Sequence, residues 1–188
     1  PFVLDANGSE TTESGYYLSA NRNKRSVTLD LTSDEGQSLA KRLIGECQVL
    51  VENFKVGNLA KFGLDYTSLR TEHPGLVYCS ITGFGQTGPK AKQPGYDFMA
   101  QGLGGIMSIT GPPGGEPHRA GIPIADLTAG LWAAVSINAA LRHREVLERA
   151  ARSTVGPNLF RALKYGRMLL HMKIRARRGR DRHRAGQK

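Results

Sequence analysis

The chain of 188 residues reads as an α/β protein, a Rossmann-like parallel sheet covered by helices. Three observations predict this. Runs at 25–31, 49–54 and 76–82 have the β-branched and apolar make-up of strands. Helix-period segments lie between them, so the order is β-α-β-α-β, which favours parallel strands. A long Ala-rich helical segment follows at 122–152.

Taken in order, RSVTLDL (25–31) alternates as a strand does. TSDEGQSLAKRLIGECQ (32–48) reads as a helix with Ser33 as N-cap, acids in the first turn, and Leu39, Leu43 and Ile44 on one face. VLVENF (49–54) is a short buried strand. Residues 56–75 suggest two short helices broken near Gly63 and stopped by Pro74. LVYCSIT (76–82) is a strand, and 83–95, with Pro89 and Pro94, is a loop. The segment 96–110 is a helix weakened by Gly102, Gly104 and Gly105, and 111–121 is a second loop. In the long helix at 122–152, Pro123 suits the first turn, and Leu127, Leu131, Val135 and Leu141 form one stripe. No internal repeat of fixed period is present.

Net charge is +10, but it is unevenly placed. Residues 142–188 hold 15 Lys/Arg and 3 Asp/Glu, whereas residues 1–141 hold 11 and 13. The basicity belongs to a tail (153–188) of different composition, with one apolar run (159–174) and an Arg-rich end. That tail reads either as a surface extension or as sequence that departed from its natural frame. A nucleic-acid-binding function through it is the alternative reading, weighed down by few aromatics, no zinc pattern and no reading helix. Cys47 and Cys79 form no CxxC pair and suggest two reduced core thiols in a cytoplasmic protein. Five scattered histidines give no metal-binding spacing, so no metal is expected. No stretch approaches 18 apolar residues without a charge, so no membrane span is expected. The chain opens on Pro1 without a leader pattern, like the middle of a longer protein.

GFGQTG (83–88) spells Gly-x-Gly-x-x-Gly. A pyrophosphate cradle needs a helix directly after its last glycine, and Pro89 follows at once. The acid expected about 20 residues later is also missing, since position 108 is Ser. An NAD enzyme is therefore set aside. The glycines instead make a loop with open N–H groups after a strand end, where α/β sheets bind ligands.

Four segments together resemble the class III coenzyme A transferases, the family of formyl-CoA transferase and carnitine-CoA transferase. They are NRNKRSVTLDL (21–31), VLVENFKVGNLAKFGL (49–64), HPGLVYCSITGFGQTGPKAKQPGYDFMAQGLGGIMSITG (73–111) and AGIPIADLTAGLWAAVSINAALRHRE (120–145), in the family's order. The resemblance stops soon after Glu145. It implies transfer of CoA from an acyl-CoA donor to a small carboxylic acid acceptor, with Asp126 of GIPIADLTAG as the nucleophile. On spacing alone Asp126 is only a helix-start acid, where the helix dipole favours an anion; the resemblance gives it the catalytic role. A carboxylate needs no base at pH 7, in keeping with the lack of a Ser-His or Cys-His arrangement.

CoA needs cations and backbone donors for its phosphates. The resemblance assigns CoA contacts to Lys24, Leu29, Asp30, Leu31 and Thr32 at the first strand entry. It adds Asn53, Phe54, Lys55 and Lys61 from the ENFK region, and Gln93, Pro94, Gly95 and Tyr96 from the QPGYD turn. Val56 stands where the family usually has Pro. By composition alone the basic run is a solvated turn and Tyr96 a core aromatic. The resemblance further implies that residues 1–152 are part of a large CoA-transferase domain, an incomplete fragment of a larger interlocked homodimer. Such a fragment is expected to be a poor catalyst alone and to expose apolar surface.

Overall fold

The computed structural model describes residues 2–153 and 170–171. The chain divides into two compact units, residues 1–30 and 31–188, a boundary the composition does not announce.

The first unit holds an antiparallel pair, β1 (Phe2–Leu4) and β2 (Glu10–Ser14), and a short helix α1 (Gly15–Ala20) capped by Ser14. The expected strand at 25–31 does not form; residues 24–30 have no regular structure and Val27 is 67% exposed. Alternating β-branched residues supply a side-chain face, but a strand exists only where a neighbour takes its N–H and C=O groups. No strand pairs with this segment among the described residues.

The second unit carries the parallel sheet. Helix α2 (Asp34–Gly45) starts where expected, with the Gly36 N–H donating to the Ser33 hydroxyl at 3.1 Å. Its buried stripe, however, is Gly36, Ala40 and Ile44, while Leu39 and Leu43 are exposed. Small residues let the helix lie close, so the larger leucines flank the contact. β3 (Val49–Glu52) follows and pairs in parallel with β4 (Val77–Ser80), with Val49 opposite Val77 and Glu52 opposite Ser80. The crossover contains a 3-10 turn (Leu59–Phe62), a left-handed Gly63, and α3 (Tyr66–Leu69) capped by Asp65. Leu59, Leu64, Leu69, Tyr78 and Cys79 are buried here, and the Tyr78 hydroxyl donates to the Leu64 carbonyl at 3.1 Å. Cys79 is thus a core thiol as expected, but Cys47 is exposed.

Helix α4 (Asp97–Gly104) and a 3-10 turn (Met107–Ile109) replace the single helix expected at 96–110, because the left-handed Gly105 ends α4. α5 (Ile124–Ser153) packs on α4 and β4. It buries Ala133 and Ala140; the expected stripe of Leu127, Leu131 and Val135 faces outward at 47%, 70% and 59% exposure. By length and hydropathy (1.4) alone, Ile124–Glu148 could cross a bilayer. β5 (Leu170–His171) adds two residues beside β4 in parallel. The rest of the basic tail, and with it the nucleic-acid reading, lies outside the described residues.

Candidate functional site

Parallel α/β sheets leave a crevice beyond the carboxyl ends of their strands. Here β3 runs out into Asn53, and β4 into Ile81, Thr82, Gly83 and Phe84. These residues form one side of a cleft of about 320 Å³. Gly95, Tyr96, Met99, Ala100 and Leu103 of the QPGYD turn and α4 form a second side. Ala125, Asp126, Ala129 and Gly130 of the first turns of α5 complete it. Among the described lining residues Asp126 is the one carboxylate. The walls around it are mostly apolar, with few polar groups, as small-molecule clefts are.

Two backbone devices shape the floor. Asn53 donates its side-chain amide to the Ile81 carbonyl at 2.7 Å, tying the exit of β3 to that of β4. Gly83 and Gly95 then touch backbone to backbone: a Cβ built on either would lie 2.3 Å from the other's Cα. No side chain fits there, so both positions require glycine. The first glycine of the GxGxxG string therefore serves close approach of two loops, and Gly85 and Gly88 turn the chain at positive φ of 81° and 101°. Phe84 also carries the Lys90 ammonium over its ring, 5.5 Å from the centroid.

Asp126 sits in the first turn of α5, as expected, yet its carboxyl is not favoured as an anion. Burial pushes its pKa above the usual 3.8, and the nearby negative Asp97 adds to the shift. Asp97 is held beside it by the helix N-terminus. The N–H groups of Ala125 and Asp126 already donate to one Asp97 oxygen, at 2.8 and 3.2 Å. The positive end of α5 is spent on Asp97, not on Asp126. Asp97 in turn accepts from the side-chain amide of Gln101, which is 0% exposed, and the Gln101 carbonyl oxygen accepts from the Ala120 N–H at 2.8 Å.

Of the CoA-contact residues expected from sequence, Asn53, Gly95 and Tyr96 meet Asp126 at the cleft. Phe54, Lys55, Lys61, Gln93 and Pro94 do not line it and lie exposed nearby in sequence. Leu31 and Thr32 lead into α2, where the Leu31 carbonyl accepts from Gln37 at 3.0 Å. Lys24, Leu29 and Asp30 belong to the first unit, in which Lys24 and Asp30 are exposed. Sequence reading missed Asp97 and Gln101. Their signal was present: Asp and Gln at i, i+4 on one helix are hydrogen-bonding neighbours. Among the described residues, no group of three His, Cys, Asp or Glu is placed to hold a metal.

Such a cleft, with one carboxylate at a helix start beyond parallel strand ends, defines an α/β protein with a built small-molecule site. Comparison with known proteins makes the class specific. The chain belongs to CoA-transferase family III, whose sequence profile matches residues 5–184. That match continues well past Glu145, where the resemblance visible in the residues stops. The chain is 49% identical over 163 residues to the succinate–glutarate CoA-transferase of Agrobacterium fabrum, covering 87% of this chain and 39% of that protein. It is 45% identical over 130 residues to the succinyl-CoA:glutarate CoA-transferase of Homo sapiens, covering 69% and 30%. In structure it is similar to a CAIB/BAIF family protein from Brucella suis, with a TM-score of 0.70, 45% identity, and coverage of 87% and 42%. The chain thus spans well under half the length of these relatives.

Proposed function

We propose that the protein transfers coenzyme A from an acyl-CoA donor to a small carboxylic acid, and that Asp126 is the covalent nucleophile. The observation that carries this reading is the placement of Asp126 on the cleft wall with Asn53, Gly95 and Tyr96. The Asp126 carboxylate attacks the thioester carbonyl; the C–S bond breaks, a mixed anhydride forms and CoA leaves as thiolate. The thiolate attacks the aspartyl carbonyl, releasing the donor acid and leaving CoA as an aspartyl thioester. The acceptor carboxylate displaces the thiolate, forming a second anhydride. Thiolate attack on the acceptor carbonyl then yields the new acyl-CoA and frees Asp126.

The raised pKa of Asp126 suits this role, because a more basic carboxylate is a stronger nucleophile. The apolar residues Ile81, Met99 and Leu103 suit the acyl and pantetheine portions. The exposed Lys55 and Lys61 suit the phosphates. The relatives' names make dicarboxylic acids of the succinate and glutarate kind the first substrates to try.

The test is mass spectrometry of the full-length protein mixed with succinyl-CoA and glutaryl-CoA. The expected result is an adduct on the Asp126 peptide, absent in Asp126→Ala, with CoA transfer lowered at least about 10³-fold in the variant. An adduct on another residue, or transfer surviving in Asp126→Ala, overturns the reading.

A further inference from the structure

We propose that Asp97 and Gln101 of α4 act as a positioning pair for Asp126, holding the first turn of α5 and the Ala120 end of the preceding loop in one fixed relation. The inference rests on Asp126 being the nucleophile, and it names the residues that aim it.

Gln101 is fully buried, yet both ends of its amide are used. Its nitrogen donates to Asp97, and its oxygen accepts from the Ala120 N–H at 2.8 Å. A buried amide satisfied at both ends has one orientation only, since a flip would set like against like at each contact. That orientation fixes the Asp97 carboxylate. The other Asp97 oxygen then takes the N–H groups of Ala125 and Asp126, at 2.8 and 3.2 Å. The chain is thus moored at residue 120 and again at residues 125–126, by two side chains one helical turn apart on α4.

This mooring does two things for the reaction. It sets the backbone from which the Asp126 side chain enters the cleft, where a displacement of about 1 Å is enough to cost roughly 10²-fold in rate. It also occupies the N–H groups that would otherwise stabilise the Asp126 anion, and puts a negative charge beside it. Asp97 from α4 is the charged group acting on Asp126, and Tyr96 is the other titratable side chain on the cleft wall. Neither Asp97 nor Gln101 borders more than the back of this arrangement: Asp97 is not among the cleft-lining residues, and Gln101 is sealed from solvent. They are positioning residues and not catalytic ones.

Two near-isosteric variants of the full-length protein, Asp97→Asn and Gln101→Met, test the pair. The pH dependence of carbodiimide labelling at Asp126, read by peptide mass spectrometry, reports its ionisation without turnover. In Asp97→Asn the midpoint is expected to fall, because the like charge is gone. In both variants kcat for CoA transfer is expected to fall about 10-fold, with KM for the acyl-CoA changed less than about twofold. A merely structural pair would lower Tm and the active fraction but leave kcat per active site in place. An unmoved midpoint in Asp97→Asn, or a wild-type kcat in Gln101→Met, overturns the inference. If the midpoint moves as expected but no acyl-CoA ever marks Asp126, the nucleophile reading fails while the mooring stands.

Discussion

On one side of α5, Ala133 and Ala140 are 4% and 3% exposed, and Ala125 and Ala129 line the cleft. On the other side Leu127 and Leu131 are 47% and 70% exposed. Leu127 follows Ala125 by two residues, about 200° around the helix, so the two stripes point in opposite directions. The side chosen for packing is the one made of small residues. It lets α4 and the end of β4 come close enough to frame a cleft, whereas a leucine stripe would hold them apart. Fit to a neighbour, more than apolar content, decides which side of this helix is buried.

The sharpest break of the tight side is at its floor. Gly83→Ala would place a Cβ 2.3 Å from the Gly95 Cα, backbone against backbone, with no flexible side chain to give way. A loss of about 3 kcal/mol or more is expected, together with loss of acyl-CoA binding as the two loops separate. Chemical denaturation and calorimetric titration of the full-length protein would read both. A variant as stable as wild type would mean that the contact is not there.

Next in size is Ala133→Leu, which adds three carbons to a position 4% exposed. Overpacking is expected to cost about 1–3 kcal/mol and to widen the α4–α5 spacing. A cost below that of a surface substitution would show room on the alanine side and weaken the contrast between the two faces.

A smaller effect, of opposite sign, is expected at the cleft. The folded state raises the Asp126 pKa above 3.8, so it binds the proton more tightly than the unfolded chain does. Ionising Asp126 therefore costs stability as pH rises above that value, and the cost is complete above the folded pKa. Asp126→Asn removes it. The variant is expected to match wild type in acid and to exceed it at neutral pH. Solvent screening at this partly exposed group keeps the gain on the order of 1–2 °C in Tm. A Tm that falls at pH 7 would contradict the sign. Stability gained where activity is lost is the usual mark of a functional carboxylate.

Much of this was legible in the chain. The spacing of β-branched runs marked β3 and β4, Ser33 marked the start of α2, and segment resemblance singled out Asp126, Asn53, Gly95 and Tyr96, which the fold brings to one cleft. The failures share one physical cause. Strand 25–31 and the leucine stripes of α2 and α5 were inferred from the side chains of one segment. Pairing and burial depend on what lies opposite, which periodicity does not encode. Asp97 escaped for a related reason: its hydrogen-bond partners lie 28 and 29 residues away. The expectation that the helix dipole would favour the Asp126 anion left out Asp97, whose carboxylate takes the N–H groups at that end of α5.

The smallest expected effect probes the open side directly. Leu131 is 70% exposed, so truncation to alanine removes few contacts and leaves no cavity. Alanine also has the higher helix propensity, which offsets what little apolar burial is lost. In the 188-residue chain, Leu131→Ala is expected to change stability by no more than about 0.5 kcal/mol, by urea denaturation. A cost near the 2–5 kcal/mol typical of a buried leucine would show this face covered and would erase the distinction between the two sides of α5.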